Sequence, residues 1–335
     1  MAVIDADAHV IETDHTWDYL EGADRKLRPR TLADEGGGYW LIDGRVFARR
    51  RNVGADTSVA TQELLDIPAR LRHMDELEID VQVLFPTLFL IPITKRPDVE
   101  AALCRSYNRW LADVWAEARG RLRWAAVLPL MAMDEALAEL RWATAHGACA
   151  VFMRGNEGER ALSDPYFFPL YEEASRLNVP LCVHAATASF THLDLCGDDP
   201  WLKFKVPVVG AFHTLVFNEI PRRFPGLRFG FIETSAAWVP WLVIYLRRRF
   251  EQRGQALGDD VLRASRLWVA CETRDDLPYV LRYTGEDHVV IGTDYGHADT
   301  SAEIEALRRL RAAGAVSPAV IDKILDANPR ALYGL

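Results

Sequence analysis

Four residues of the types that hold a divalent cation stand far apart in the chain: Asp7, His9, His184 and Asp294. They offer two imidazole nitrogens and two anionic oxygens, a set that zinc accepts and that manganese also suits. Asp7-Ala8-His9 is an Asp-x-His pair, and in an extended strand residues i and i+2 point to the same face. His184 closes the apolar run LCVH, and Asp294 follows VVIGT. Each has an ordinary explanation as well: a capping Asp with a surface His, a satisfied core His, an Asp that caps a turn. A cation held by all four would polarise a substrate carboxylate or carbonyl, or lower the pKa of water towards ~7.

The elements that must position these residues give them more weight. Eight short, nearly unbroken apolar runs read as parallel strands covered on both faces. They are Val3–Ala8, Val81–Phe85, Leu122–Leu128, Ala148–Met153, Pro180–Val183, Leu227–Ile232, Leu267–Ala270 and Val289–Gly292. Helix-period segments lie between them, at 61–78, 99–119, 133–145, 166–177, 238–252, 277–283 and 302–312, with a last helix over 318–326 that stops at Asn328-Pro329. Eight such units favour a closed (β/α)8 barrel, a TIM barrel, over an open doubly wound sheet. In a barrel the chemistry sits at the carboxyl ends of the strands. Asp7 and His9, His184 and Asp294 fall at ends one, five and eight. The other ends carry Pro86-Thr87, Pro129, Arg154, Glu233 and Cys271-Glu272.

Two connections are long. Residues 13–60 follow the first strand, and within them Asp43-Gly44 between Tyr39–Ile42 and Arg45–Ala48 is a hairpin signal. Residues 20–60 therefore read as a small β insertion over the barrel mouth, after Gly36-Gly37-Gly38. Residues 187–224 form the second long connection, after strand five. One barrel domain over 1–335 accounts for the rest.

Composition sets the class. Half of the 335 residues are hydrophobic and 26% are charged, which supplies a globular core. A formal charge of −9 argues against general nucleic-acid binding, which needs a basic face. The five cysteines are odd in number and never CxxC, so they read as reduced, small hydrophobes of a cytoplasmic protein. No signal peptide and no membrane-length apolar run are evident.

Taken together, several motifs resemble the amidohydrolase superfamily. They are Asp7-Ala8-His9 with Glu12, Met74-Asp75-Glu76-Leu77 leading to Phe85-Pro86-Thr87, Tyr107-Asn108-Arg109-Trp110, Ser163-Asp164-Pro165-Tyr166, His184, Arg223-Phe224-Pro225, Thr293-Asp294-Tyr295 and Asn328-Pro329-Arg330. More narrowly, their order and spacing resemble the amidohydrolase 2 group, the aminocarboxymuconate-semialdehyde decarboxylase-like metal-dependent hydrolases and decarboxylases. The resemblance implies one divalent metal, zinc first and manganese second, on the four residues already named. It also implies a proton-exchanging role for Asp294 and a homodimer. Two departures stand out. The first-strand pair is commonly His-x-His, and here it begins with Asp7. The sixth strand in relatives ends in an acid/base His, and here FIETSAAW puts Glu233 there. A partly buried carboxyl of raised pKa can take over proton transfer.

Five further residues are candidates around this centre. Glu12 suits orienting a ligand His. Arg154 suits a substrate carboxylate, with a salt bridge to Glu157 or Glu159 as the equal alternative. Arg51, in the Arg49-Arg50-Arg51 run, matches the region from which relatives draw a substrate-binding arginine. His297 reads as a rim residue in reach of substrate, and His213 as a reserve proton donor. The leading expectation is a decarboxylase of a small unsaturated or aromatic carboxylic acid, with Asp294 or Glu233 protonating the carbon. The alternatives are a hydrolase of an amide, ester, lactone or C–C bond using metal-activated water, and a non-catalytic barrel that binds a metabolite.

Overall fold

The computed structural model describes residues 2–32, 38–50 and 52–335. Eight parallel strands follow one another in chain order around a barrel: β1 (Ile4–Val10), β2 (Val81–Pro86), β3 (Leu122–Val127), β4 (Ala148–Arg154), β5 (Leu181–His184), β6 (Phe229–Ile232), β7 (Leu267–Cys271) and β8 (Val289–Ile291). All eight expected strands are present, each within a few residues of its anticipated bounds. Among the described residues, no helix is long and apolar enough to cross a membrane.

Closure between β8 and β1 is made just past the end of β8. Asp294 N donates to Asp7 O at 2.9 Å, His9 N donates to Tyr295 O at 2.9 Å, and Ala8 bridges Tyr295 in parallel. Gly292 permits this approach. A Cβ on it would lie 2.3 Å from the Asp7 Cβ, far inside van der Waals contact. The seam that closes the barrel therefore runs through three of the candidate ligands, Asp7, His9 and Asp294.

β1 is buried along its whole length, yet Asp5, Asp7 and His9 alternate down it. Buried carboxylates cost several kcal/mol, by the order of magnitude for unpaired charges, unless donors meet them. Asp5 is met four times: by Thr293 N at 2.9 Å, Thr293 Oγ1 at 2.6 Å, Gln82 Nε2 at 2.9 Å and Asp7 N at 3.3 Å. Gln82 in turn accepts from Arg70 Nε at 2.8 Å. Arg70 is itself fully buried, donates to His9 O, and stacks 3.4 Å from the Tyr295 ring centroid. This network forms the floor beneath the mouth.

The outer helices differ from expectation at three places. The segment 61–78 is two helices, Val59–Gln62 and Ile67–Glu76, parted where Leu64 takes a left-handed backbone (φ 52°) and Asp66 caps the second through Ala69 N. Within 187–224 lie the helices Phe190–Cys196, Val206–Phe217 and Ile220–Arg223. Asn328-Pro329 does not stop the chain's last helical stretch; it opens the helix Asn328–Tyr333. Proline near a helix start costs no hydrogen bond, and Asn328 Nδ2 anchors that start to Glu286 O and Val289 O.

The insertion forms a three-stranded antiparallel sheet of Arg30–Leu32, Tyr39–Ile42 and Arg45–Ala48, with Asp43-Gly44 at the expected hairpin turn. Its exit is stitched to the segment after β8: Gly54 N donates to Gly296 O at 2.8 Å, Ala298 N donates to Asn52 O at 3.2 Å, and Val53 bridges His297.

Candidate metal centre

Strand ends one, five, six and eight bring Asp7, His9, His184, Glu233 and Asp294 together, all buried. His9 Nε2 lies 3.2 Å from His184 Nε2, 3.5 Å from Asp7 Oδ1 and 3.3 Å from Asp294 Oδ1. His184 Nε2 is 3.2 Å from Asp7 Oδ1, and its Nδ1 is 3.2 Å from Glu233 Oε2. Donor atoms of Asp7, His9, His184 and Glu233 all fall within 4.8 Å of one another, as do those of His9, Glu233, Asp294 and His297.

These groups fit a divalent cation. His9 Nδ1 donates to Pro86 O at 3.1 Å, which turns the Nε2 lone pair into the cluster. Burial, with His297 and His184 beside it, holds His9 well below the ordinary imidazole range, so it is the neutral form that ligates. Both Asp294 oxygens, Glu233 Oε2 and His184 Nδ1 are buried without an aligned hydrogen-bond partner. Buried polar atoms are rarely left so. Three carboxylates share this small volume. Burial, then Asp294, pushes Glu233 well above the carboxylate range, and burial raises Asp294 to about 7.

Backbone conformation aims two of these carboxylates. Glu233 (φ 61°) and Asp294 (φ 52°) both occupy the left-handed region, which costs a non-glycine residue on the order of 1–3 kcal/mol and clusters at functional sites. Glu233 comes one residue and Asp294 three residues after its strand, so the reversal turns the side chain over the mouth.

His297 is deeper than a rim residue. Its side chain is fully buried, its ring stacks on His9 with centroids 3.7 Å apart, and its Nε2 lies 3.0 Å from Thr87 Oγ1. Nδ1 is 2.8 Å from Asp294 Oδ1, but off the line a hydrogen bond prefers. Burial alone would lower its pKa; Asp294 outweighs this and leaves it raised.

The remaining candidates divide. Glu12 does not touch a ligand His; its carboxylate accepts from Thr87 N at 3.1 Å and Leu88 N at 2.8 Å and so fixes the turn Leu88–Leu90. Arg154 pairs with Glu157 (Nη2–Oε2 2.7 Å) and faces a neighbouring cavity. His213 sits on the helix Val206–Phe217, stacked on Phe217, outside the cluster. Arg51 lies outside the described residues. Arg49 and Arg50 line a cavity of about 490 Å³ above the cluster, with Glu12, Asn52, Glu233 and Asp299. Arg50 Nη2 is held by Gln62 Oε1 at 2.8 Å, and Arg49 lies 4.5 Å over the Trp40 ring. Asp5, Arg70 and Asp299 belong to the site's surroundings without having stood out in the sequence; Asp5-x-Asp7-x-His9, three polar residues on one strand face, is the signal that would have found the first.

The profile of the family described as Amidohydrolase matches residues 4–335. The chain belongs to this amidohydrolase family. It is 22% identical to 2-amino-3-carboxymuconate-6-semialdehyde decarboxylase of Dictyostelium discoideum over 271 residues, 76% of this chain and 70% of that protein. Among solved structures, an amidohydrolase of Mycobacterium avium subsp. paratuberculosis K-10 superposes with a TM-score of 0.82 at 21% identity, covering 99% of both chains. A 5-carboxyvanillate decarboxylase of Novosphingobium aromaticivorans, solved with bound manganese, gives 0.68 at 19% identity over 84% of this chain and 86% of the other. Such likeness establishes that this amidohydrolase chain has their barrel.

Proposed function

We propose that this amidohydrolase is a metal-dependent decarboxylase of a small unsaturated or aromatic carboxylic acid. The observation that carries the reading is the buried cluster in which Asp7, His9 and His184 meet Glu233 and Asp294, with unpartnered atoms on His184, Glu233 and Asp294, beside a cavity bordered by Arg49 and Arg50. The decarboxylase activities in the names of two relatives support it.

Those four residues would hold one divalent cation, zinc or manganese, the second being the metal in the Novosphingobium protein. Bound there, the cation supplies a Lewis acid for a substrate carboxylate and its neighbouring oxygen. The chain's own residues do the rest. Asp294 would exchange a proton at a carboxylate oxygen beside His297 Nδ1. That proton goes to the substrate carbon bearing the carboxylate. The bond to the carboxylate then breaks, its electron pair returns to the carbon skeleton, and carbon dioxide leaves. Glu233, buried just past the end of β6, is the second proton carrier. The roof of Trp40, Phe47 and the arginines keeps water from the carbon and meets the substrate's anionic end.

Glu233 also favours a second reading, a hydrolase of the same architecture. Its carboxyl, once the charge of a bound cation favours the ionised form, would take a proton from water attacking an amide, ester or lactone. Incubating the metal-loaded protein with a panel of such acids and esters, read by mass spectrometry, separates the two: loss of carbon dioxide against gain of water. Neither change, with a full complement of metal, would leave only a binding protein. The reading places the chain in the cytoplasm as a homodimer, which light scattering of the purified protein tests.

A further inference from the structure

A second cavity, of about 600 Å³, lies beside the mouth among the segments that follow β2, β3, β4 and β5. Its wall towards the metal-side cavity is the turn Leu88–Leu90: Leu88 and Leu90 line one space and Phe89 the other. Buried ties hold that wall in place. Glu12 takes the N–H groups of Thr87 and Leu88, Thr187 N donates to Leu90 O at 3.0 Å, and Arg154 Nη1 donates to Phe89 O at 3.3 Å.

The interior combines an apolar surround with two polar groups that are incompletely used. Phe89, Val127, Leu130 and Phe167 supply the apolar surface. Arg154, 5% exposed, gives Nε and Nη2 to Glu157 and Nη1 to Phe89 O. A guanidinium carries five N–H bonds, so with three engaged, two remain. Glu100, 9% exposed, accepts from Met131 N through Oε2 at 2.9 Å, and among the described residues no donor meets its Oε1. At the rim, Lys95 lies 5.3 Å over the Phe190 ring and Arg160 lies 4.5 Å over Tyr166.

We propose that this cavity is a second ligand site, separate from the metal centre, for a small aromatic carboxylate. Size and lining match small-molecule sites, which are mostly apolar with a few convergent polar groups. One carboxylate oxygen takes the spare N–H groups of Arg154, and the other meets the Glu100 carboxyl. Burial has raised Glu100 to about 7, so near neutrality a share of its carboxyls carry a proton to donate. The ring fills the space against Phe89 and Phe167, and at the rim Lys95 and Arg160 offset Glu159. Arg154 thereby keeps the carboxylate preference its residue type implies, exercised away from the metal.

The test is a fluorine NMR titration of the full, zinc-loaded chain with 4-fluorobenzoate. A binding event is expected that Glu100→Leu and Met131→Trp each weaken tenfold or more. Met131 is 38% exposed at the rim, so its replacement fills the entrance without touching the core; it decides the matter if Glu100→Leu does not fold. No binding of the probe, or binding that Met131→Trp leaves unchanged, overturns the proposal. Turnover is not read in this experiment, so its failure and the failure of the decarboxylase reading are distinct.

Discussion

His297 Nδ1 lies 2.8 Å from Asp294 Oδ1, at the end of the last barrel strand. In the proposed reaction the pair would do the work of the missing sixth-strand histidine, since Asp294 has beside it an imidazole whose pKa Asp294 itself raises. Asp294→Asn should abolish turnover, by about 10³-fold or more, because amide nitrogen neither carries nor accepts the proton. His297→Gln should lower kcat by about 10- to 100-fold while metal content, measured by elemental analysis, stays at the wild-type level. Loss of metal in step with kcat would instead make His297 a ligand.

Removing the cation should destabilise the fold. A ligand that binds only the native state at about a hundred times its Kd adds ~2.7 kcal/mol. Chelation should therefore lower Tm, and zinc or manganese should restore it. His184→Ala and His9→Ala should be insensitive to both treatments; an unchanged response in either would remove that residue from the ligand set.

Gly292→Ala tests the closure of the barrel. The added Cβ meets Asp7 at 2.3 Å, and overpacking of this kind costs on the order of 1–3 kcal/mol or more. Because the contact falls on a candidate ligand, metal affinity should fall together with the urea midpoint. A stable variant with unaltered affinity would show that β8 and β1 can part without consequence for the site.

Glu100 gives the fold a pH dependence. Its folded pKa, about 7, stands above the ordinary 4.5 because burial opposes the charge. The native state therefore keeps a proton that the unfolded chain releases, and stability falls as pH rises from about 4.5 to about 7. The loss is at most on the order of 3 kcal/mol. Glu100→Gln should make the fall in denaturant midpoint shallower across that window, the remainder coming from Asp5 and Glu12, which burial raises in the same way; an equally steep profile would take Glu100 out of the slope.

The barrel was legible because its strands are short, apolar and regularly spaced, and the candidate ligands stood out because a polar residue breaking such a run is conspicuous. His184 and Asp294 gained weight only from falling at strand ends together with Asp7 and His9. What a one-dimensional pattern does not carry is the reversal of backbone at Glu233 and Asp294, or the turn through Gly296 that folds His297 inward. Val206–Phe217 escaped notice for another reason: with apolar residues nearly all round, VPVVGAFHTLVF has no polar face to mark its period. Arg154 shows the limit for charged groups. Its type and strand end suit a substrate carboxylate, but which cavity it faces depends on Phe89 and Glu157.

The backbone stitches between Asn52–Gly54 and Gly296–Ala298 make the roof and the acid–base loop parts of one lever. A roof that swung outward to admit substrate would drag His297, and with it the proton on Asp294, so entry and chemistry would compete rather than run independently. For protein engineering this fixes the splice points. A roof borrowed from a relative to change substrate choice should be cut in before Asn52, leaving the native Asn52-Val53-Gly54 in place; a graft that replaces those three residues would exchange specificity and forfeit the reaction together.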